Sequence, residues 1–575
     1  MKEQTLGISD YKKIIEEKYT YVDKTLFIQE ISYSAEVSLI PRPRRFGKTT
    51  NLSMLYYFFS NREGDNTHLF QDYKIWNLDC LDRLNRSCRS LMGQFPVIFM
   101  TLKEINSDNW KEAFEEIKLI IIEEFEKHRI LLTATFNQSL PDGLQKEDFV
   151  LSDTEKKQFQ SILDGSANKA LFKKSLKYLI LWLHRYYGSR VIVLIDEYDA
   201  PIHAAYLHNY FDKMVDFMRG FFGGGLKDNP RLEKAVITGI LRVARENIFS
   251  GFNNVTTYTI LEETFGEKFG FLEEEVKNLL EEEGLSLQMP KVQEWYNGYN
   301  IGGFSLYNPW SITQYIGNKN HALQPYWVNV SSNELVKRLV WAGSDSLKQD
   351  MEKLLLGGSI SKEIQEGIIF SDLKSQEDAV WSLFFFSGYL TLAKRGDFNK
   401  PKELKIPNRE VLELYKLIAR NWLTEYLPGD NLSKLLQSLI VGEVEVFSEL
   451  FQRLIINAMS SHDLSEEESE AIYHAFTLGL LVALEKTHEV KSNRESGFGR
   501  YDVCLIPKNP QDLGLVIEFK KVRGKEDLEK AADLALEQIV EKKYVAELQS
   551  RGIIRTLTLG IAFQGKKILV KSAPK

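Results

Sequence analysis

The stretch PRPRRFGKTT at positions 41–50 joins an apolar segment to an amphipathic one, and it decides how the first part of the chain folds. The preceding VSLI, residues 37–40, predicts a short buried strand, and the apolar residues of 52–59 recur at helical spacing. A strand, a glycine-containing loop and a helix that begins with Gly-Lys-Thr are the context of a phosphate-binding loop. Arg42 stands where such a loop usually opens with glycine, which removes a flexible position but none of the backbone donors.

Residues 44–50 of this loop are candidate nucleotide ligands, with ATP and Mg²⁺ as the expected cofactors. The glycine lets the backbone approach a phosphate closely, the lysine reaches the outer phosphates, and the first threonine hydroxyl can ligate magnesium. The two arginines add positive charge at the rim. The candidate nucleotide-binding residues are Arg44, Arg45, Phe46, Gly47, Lys48, Thr49 and Thr50. A basic loop before an amphipathic helix would show the same pattern without binding a nucleotide.

A second strand supplies the acidic half of such a site. Residues 189–201, SRVIVLIDEYDAP, contain an apolar run that suits the centre of a parallel sheet and ends in Asp196 and Glu197. Ligands of open α/β sheets bind at the carboxyl ends of the strands. Asp196 is placed to hold magnesium through water, and Glu197 to polarise the water that attacks the phosphate. Asp199 is a further carboxylate, which we expect to cap the following turn.

A third strand is predicted within residues 232–247, LEKAVITGILRVAREN. Thr238 lies at its tip, where a polar side chain can sense the terminal phosphate. Arg242 and Arg245 follow, and each either contacts phosphate in cis, reaches a neighbouring subunit as an arginine finger, or begins a solvated helix. An arginine finger would imply a homo-oligomer.

Six stretches, in order, resemble the bacterial and archaeal AAA-ATPase-like family, whose members carry the abbreviated loop PRRFGK[ST]. They are YVDKT (21–25), RPRRFGKTTNLSML (42–55), VLIDEYDAP (193–201), TGILRVARENIFSGFNN (238–254), WYNGYNIGG (295–303) and YNPWSI (307–312). The resemblance covers roughly residues 1–315 and implies an ATPase core. It also implies nucleotide ligands at Lys48 and Thr49 and a Walker B pair at Asp196 and Glu197. Asp23 and Lys24 either line the adenine or ribose side or pack the core.

A second candidate site lies in residues 497–522, GFGRYDVCLIPKNPQDLGLVIEFKKV. YDVCLI and LVIEFKKV predict two strands joined by a turn, hence a hairpin. Glu518 and Lys520 are two residues apart and so share a face, with Asp502 on the neighbouring strand. Two adjacent carboxylates repel unless a cation lies between them, oxygen ligands suit Mg²⁺ or Mn²⁺, and the lysine can activate a water. An exposed hairpin face with a cross-strand Lys–Asp pair is the alternative.

The flanking segments place this motif in a helix, hairpin, helix, strand layout. Glu470 lies in a segment with helical apolar spacing and can bring a further carboxylate. Residues 525–548 predict one amphipathic helix that carries Gln538 and Tyr544, and closing strands follow it. With D…ExK on the hairpin, this layout resembles the PD-(D/E)xK nuclease domain.

The resemblance implies a role for each polar residue of the motif. The implied catalytic residues are Asp502, Glu518 and Lys520. The implied metal ligands are Glu470, Asp502 and Glu518. Gln538 is implied as an assisting residue, and Glu495 and Arg500, just ahead of the strand, as residues that shape the pocket. Charge is nearly balanced around the motif, which argues against strong intrinsic affinity for DNA.

Length and composition set the outer limits. The 575 residues exceed what one core supports. We expect an α/β protein with a P-loop ATPase core and parallel sheet (1–255), a small lid (256–345), a helical region (346–454) and a restriction-endonuclease-like α/β domain (455–575).

Three cysteines and the absence of a long apolar run predict a cytoplasmic protein without a membrane span. The net charge of -7 argues against non-specific nucleic-acid binding but allows a local basic channel.

Together these features predict an ATPase coupled to a metal-dependent nuclease that acts on nucleic acid, with DNA favoured. The alternative is a nucleotide-dependent signalling switch whose C-terminal domain binds nucleic acid or protein without cleaving it.

Overall fold

The computed structural model of the chain describes residues 7–133, 150–242, 248–249, 252–327, 336, 339, 345–355, 357–367, 372–373, 376–394, 401–427, 430–460, 484, 487–496, 499–522, 527–564 and 567–573. It divides into two compact units. The first comprises Met1–Leu335 and Ser361–Glu410, and the second comprises Val336–Ile360 and Val411–Lys575.

The first unit is built on a five-stranded parallel sheet. Its strands are β1 (Val37–Pro41), β2 (Val97–Thr101), β3 (Val191–Asp196), β4 (Leu232–Gly239) and β5 (Val255–Thr257), in the order β2-β3-β4-β1-β5. β1 and β3 are buried along their whole length, which explains their continuous apolar sequences. The predicted parallel sheet is confirmed, and the sheet order places β4 between β1 and β3.

Capping side chains and glycines mark the ends of helices in the first unit. Lys169–Tyr187, for example, begins after Asn168, whose side chain accepts from the backbone N–H of Leu171, and ends at Gly188 with φ of 67°. The helices are Tyr11–Glu16, Leu26–Tyr33, Lys48–Phe59, Lys74–Asn77, Trp110–Lys127, Ile130–Thr133, Asp153–Leu163, Lys169–Tyr187, Ala200–Leu207, Phe211–Leu226, Glu273–Glu282, Met289–Tyr296, Pro309–Gly317 and Glu377–Phe386.

Short strands complete this part of the chain. They are β6 (Tyr299–Ile301), β7 (Phe304–Leu306), β8 (Ile360–Lys362), β9 (Thr391–Leu392) and β10 (Lys402–Lys405). β6 and β7 form an antiparallel hairpin, and β9 pairs antiparallel with β10. Every residue of the helix Glu377–Phe386 from Ala379 onward is buried, so this helix lies within the core.

The second unit contains a mixed sheet of five strands in sequential order. They are β11 (His488–Ser496), β12 (Gly499–Pro507), β13 (Gly514–Lys521), β14 (Thr556–Gln564) and β15 (Lys567–Ser572). Neighbouring strands pair antiparallel except β13 and β14, which are parallel. A parallel pair needs a crossover, and the helix Leu528–Glu541 provides it. The predicted hairpin is therefore β12 and β13, and its apolar face joins the core of this unit.

The remaining helices are Asp345–Leu355, Arg409–Tyr426, Asn431–Val441, Val444–Ser460 and Ala546–Ser550. The single helix predicted over 525–548 is wrong. It ends at Glu541, and Lys543 adopts a left-handed φ of 54°, which a helix cannot continue through. The turn delivers Tyr544, which is 1% exposed, into a cluster with Cys504 and Ile539.

Across the ranges described above, none of the helices is both long and apolar enough to cross a membrane.

Two candidate functional sites

The loop after β1 has the backbone of a phosphate-binding site. Gly47 precedes the helix Lys48–Phe59 with φ of 83°, and no side chain caps the first N–H groups of that helix. Those donors, together with the helix dipole, attract an anion. Arg45 also has a left-handed φ, 65°, a conformation that costs a non-glycine residue about 1–3 kcal/mol and that clusters at ligand sites.

Lys48 lies beneath this loop. It is 4% exposed, and its Nζ donates to the carbonyl oxygens of Arg42 and Pro43, each at 3.1 Å. Burial lowers the pKa of Lys48, while the nearby carboxylates, Glu197 first among them, oppose that change. A buried ammonium held only by carbonyl oxygens can exchange those bonds for phosphate oxygens.

The Asp196 carboxylate contacts two other predicted site residues, Thr49 and Thr238. Thr49 Oγ1 donates to one of its carboxylate oxygens at 2.5 Å, and Thr238 Oγ1 donates to the other at 2.6 Å. The contact follows from the sheet order, because β4 lies between the strand that leads to Thr49 and the strand that ends in Asp196. Burial raises the pKa of Asp196, and the two hydroxyls oppose the rise.

These residues fit a magnesium ion bound with a nucleotide. A threonine hydroxyl beside a buried carboxylate supplies hard oxygen ligands, and magnesium usually takes its remaining ligands from phosphate and water. Glu197 follows directly, partly exposed and with φ of 50°. It is the acidic group here that solvent can reach, as expected of a residue that orients a water.

Two side chains of the loop, those of Arg42 and Phe46, are buried in the core instead of lying at the rim of the site. Arg42 is fully buried and donates to the carbonyl oxygens of Pro41 at 2.8 Å and Tyr258 at 2.7 Å, and burial lowers its pKa to about 9. Phe46, predicted as a nucleotide ligand, is 1% exposed and packs edge-on against Tyr299. Only the backbone of Phe46 therefore remains for a nucleotide.

The two arginines at the rim of the loop, Arg44 and Arg45, contact residues from a distant part of the chain. The Arg45 guanidinium lies 4.4 Å from the centre of the Trp310 ring, a cation–π geometry, and Asn308 donates to the carbonyl of Arg44 at 3.3 Å. The segment that opens the helix Pro309–Gly317 thus supports the loop. Thr50 lies partly buried in the first turn of the helix that follows the loop.

Asp23 and Lys24 have packing partners. Lys24 Nζ lies 2.7 Å from the carboxylate of Glu275, and Asp23 accepts from the backbone N–H of Thr25 and of Lys74, each at 2.9 Å. Of the two roles left open by the sequence, these contacts favour packing over a place beside adenine or ribose.

The remaining predictions around this site have mixed outcomes. Asp199 does not cap its own helix, because its carboxylate instead accepts from backbone N–H groups of the turn after β4. Arg242 pairs with Glu366 at 3.2 Å. Arg245 lies outside the described residues.

In the second unit, the predicted common face exists. Glu518 on β13 is 3% exposed, and Lys520 Nζ lies 3.4 Å from its Oε1. Asp502 on β12 accepts from the backbone N–H of Phe519 at 2.7 Å, which ties the carboxylate to the same hairpin. The alternative of an exposed cross-strand pair does not hold, since the central carboxylate is buried.

Glu518 carries a buried oxygen that needs a partner. Its Oε2 has no hydrogen-bond donor among the residues the structure describes. Burial raises the pKa of this carboxyl to about 7, and the neighbouring Asp502 adds to the rise. An orphaned carboxylate oxygen beside a second carboxylate fits a divalent cation, which would satisfy both.

The third predicted metal ligand, Glu470, lies outside the described residues, as do the side chains of Glu495 and Arg500. The described parts of the chain contain no group of three or more His, Cys, Asp or Glu that could hold a metal ion. Of the three predicted ligands, Asp502 and Glu518 are the two that the structure describes.

Gln538 bridges the charged groups of this site. Its amide nitrogen donates to Glu518 Oε1 at 2.5 Å, its amide oxygen accepts from Lys520 Nζ at 2.5 Å, and the nitrogen also lies 3.2 Å from the Tyr544 hydroxyl. One side chain thereby orients both the carboxylate and the ammonium. Sequence reasoning named Gln538 as assisting but gave Tyr544 no role, because the turn that brings Tyr544 back to the site was not predicted.

Two family models match separate parts of the chain. A family model described as a predicted AAA-ATPase matches residues 5–249, and a model of the PD-(D/E)XK nuclease superfamily matches residues 468–573. The chain contains an AAA-ATPase-like domain and a PD-(D/E)XK nuclease superfamily domain.

Similarity to a curated relative spans both domains. An "Uncharacterized protein in vnfD 5'region" from Azotobacter chroococcum mcd 1 is 24% identical over 568 residues, which are 96% of this chain and 94% of the relative. Lys48, Asp196 and Thr238 all fall in the AAA-ATPase-like domain, and Asp502, Glu518, Lys520 and Gln538 all fall in the PD-(D/E)XK domain.

Proposed function

We propose that this protein hydrolyses ATP in its AAA-ATPase-like domain and uses the nucleotide state to control metal-dependent cleavage of nucleic acid, DNA above all, by its PD-(D/E)XK domain. The observation that carries the proposal is that each domain holds a connected set of polar and charged groups around a buried carboxylate, Asp196 in one and Glu518 in the other. A cytoplasmic setting, a homo-oligomer and the four predicted domain ranges belong to the same proposal.

In the AAA-ATPase-like domain, the N–H groups of residues 47–50 and Lys48 bind the phosphates of ATP. Thr49 and Asp196 would hold magnesium, which supplies charge neutralisation on the phosphates. Glu197 orients the attacking water and accepts its proton. Thr238 keeps Asp196 in place and, at the tip of β4, would sense the terminal phosphate.

In the PD-(D/E)XK domain, Asp502 and Glu518 would hold Mg²⁺ or Mn²⁺, which supplies Lewis-acid polarisation of the scissile phosphate. Lys520 orients the attacking water and stabilises negative charge on the phosphate. Gln538 fixes the directions of both Lys520 and Glu518.

The test is a paired assay on the full chain. ATP turnover and cleavage of linear, circular and single-stranded DNA and of RNA are measured with Mg²⁺ or Mn²⁺, with and without ATP. The variants are Lys48→Ala and Asp502→Asn, and the matched controls are the exposed Lys103→Ala and Asp512→Asn.

We expect Lys48→Ala to abolish turnover and the response of cleavage to ATP, and Asp502→Asn to abolish cleavage alone. Cleavage by Lys48→Ala that still responds to ATP would refute the coupling. ATP turnover without cleavage of any substrate would refute the nuclease and favour the signalling switch.

A further inference from the structure

Two buried polar residues of the DEYD motif have no part in the proposed chemistry. Tyr198 is fully buried and Asp199 is 4% exposed, directly after Asp196 and Glu197. Burying a carboxylate is costly unless it is well bonded, so its partners indicate its role. The helix that begins at residue 200 is not among those partners, because Asp199 makes no side-chain cap to it.

Both side chains instead hold the turn that follows β4. Asp199 Oδ2 accepts from the backbone N–H of Ile240 at 3.0 Å and of Leu241 at 2.8 Å. The Tyr198 hydroxyl donates to the carbonyl of Leu241 at 2.8 Å. In addition, the backbone N–H of Tyr198 donates to the carbonyl of Thr238 at 3.0 Å. These four hydrogen bonds, which we call the β4 clamp, extend the pairing of β3 and β4 beyond the ends of the strands.

The space around Gly239 shows how closely the two clamp side chains pack against β4. A Cβ placed on this residue would lie 2.4 Å from Asp199 Oδ1 and 2.7 Å from the Tyr198 ring. The backbone of β4 therefore packs closely against both side chains and leaves no room for a larger residue at this position.

The residue held by this clamp contacts Asp196, the proposed magnesium ligand. Thr238 precedes Gly239, and its hydroxyl donates to Asp196 Oδ1 at 2.6 Å. A hydroxyl must lie within a few tenths of an ångström of its place to keep such a bond. Because the clamp fixes the backbone on both sides of Gly239, it also fixes where the Thr238 hydroxyl lies.

Asp199 is not itself placed for chemistry. Its Oδ2 already accepts two backbone N–H groups, and the carboxylate is buried behind Gly239. Burial also raises the pKa of Asp199 to about 6, while the two backbone N–H groups oppose the rise.

We propose that Asp199, assisted by Tyr198, is a positioning residue for ATP hydrolysis that acts through Thr238 on Asp196. The inference rests on the proposed ATPase function and adds to it a role for the second half of the DEYD motif. It requires that loss of Asp199 slows turnover without weakening nucleotide binding, and that the loss has no further effect once the Thr238 hydroxyl is gone.

The experiment is a double-mutant cycle on the full chain. Asp199→Ala, Thr238→Val and the double variant are compared with Asp199→Asn, which keeps one carbonyl oxygen to accept from both N–H groups. ATP turnover at saturating Mg²⁺ gives kcat and KM, and titration with a fluorescent ATP analogue gives Kd.

We expect Asp199→Ala to lower kcat by roughly 10-fold or more and to change Kd by less than about 3-fold. Asp199→Asn keeps most of the wild-type kcat. The double variant is within about 2-fold of the slower single variant, since both changes break one chain of contacts.

Independent, multiplicative effects of the two changes would overturn the inference, as would an Asn variant no better than Ala or a loss of kcat matched by a rise in Kd. A wild-type protein without ATP turnover would overturn the proposed hydrolysis and this inference together. Normal turnover in both wild type and Asp199→Ala would overturn this inference alone.

Discussion

The charge on Glu518 gives a prediction whose size follows from the structure. The pKa of this carboxyl rises from 4.5 to about 7 because it is buried and faces Asp502. A difference of about 2.5 pH units corresponds to at most about 3.4 kcal/mol between folded and unfolded states. Lys520 is 34% exposed, so water that reaches this side chain screens part of the interaction. We therefore expect the charge on Glu518 to lower the free energy of unfolding by about 2 kcal/mol.

The sign is set by proton binding. Between about pH 4.5 and pH 7, folded Glu518 holds a proton that the unfolded chain has lost, so stability falls as pH rises through this range. Above pH 7 the charged carboxylate lowers the stability of the fold by the full amount, and below pH 4.5 this loss of stability is absent. Glu518→Gln removes the charge, and we expect it to stabilise the metal-free protein at pH 8 and to have little effect at pH 4.5.

Hydrogen exchange measures this effect locally, which matters because a chain with two units has no single free energy of unfolding. Backbone amides of β13 should exchange about 30-fold more slowly in Glu518→Gln than in wild type at pH 8 without metal, after correction for intrinsic rates. Glu537→Gln, exposed on the neighbouring helix, is the matched control. Mg²⁺ should slow exchange in wild type and not in Glu518→Gln.

Faster exchange in metal-free Glu518→Gln at pH 8 would refute the reasoning, because it would show that the charged carboxylate stabilises the fold. An equal gain at pH 4.5 and pH 8 would also refute it, since the effect would then not come from charge.

Three further changes test particular contacts. Gly298→Ala should destabilise the first unit by more than about 3 kcal/mol, measured from the urea transition that hydrogen exchange of that unit's amides reports, because φ is 112° and a Cβ would lie 2.1 Å from the carbonyl oxygen of Pro407. A cost below about 1 kcal/mol would contradict the packing. Ser311→Ala should cost about 1–3 kcal/mol in the same assay, since its hydroxyl donates at 2.7 Å to the buried carboxylate of Glu410, and no change in midpoint would contradict that bond. Gln538→Ala should slow DNA cleavage by roughly 10-fold or more at unchanged DNA affinity, and an unchanged cleavage rate would contradict the bridge.

Much of both sites could be predicted from local sequence. The apolar runs of β1 and β3 are fully buried strands, and the alternation of Glu518 and Lys520 does place them on one face. These predictions succeed because burial and strand geometry act over a few residues, at a period that the sequence shows directly.

Burial and distant partners decided what local sequence did not show. Phe46 matches the loop motif as well as its neighbours do, but its ring packs against Tyr299, more than 250 residues away in the chain, which leaves only its backbone for a nucleotide. The helix predicted over 525–548 breaks after Glu541, because the fold draws Tyr544 into the core at the cost of a left-handed residue.

The sequence by itself determined which charged groups the protein carries and on which kind of element each one lies. Only the tertiary structure decided which of them meet. Thr49 reaches Asp196, and Thr238 reaches the same carboxylate, because β4 lies between β1 and β3, an order that no local pattern encodes. The same holds for Asp199, whose partners are backbone groups 41 and 42 residues further along the chain. Hydrophobic periodicity reports how deeply a residue is buried, whereas the partner of a buried polar group depends on which strands the folded sheet brings side by side.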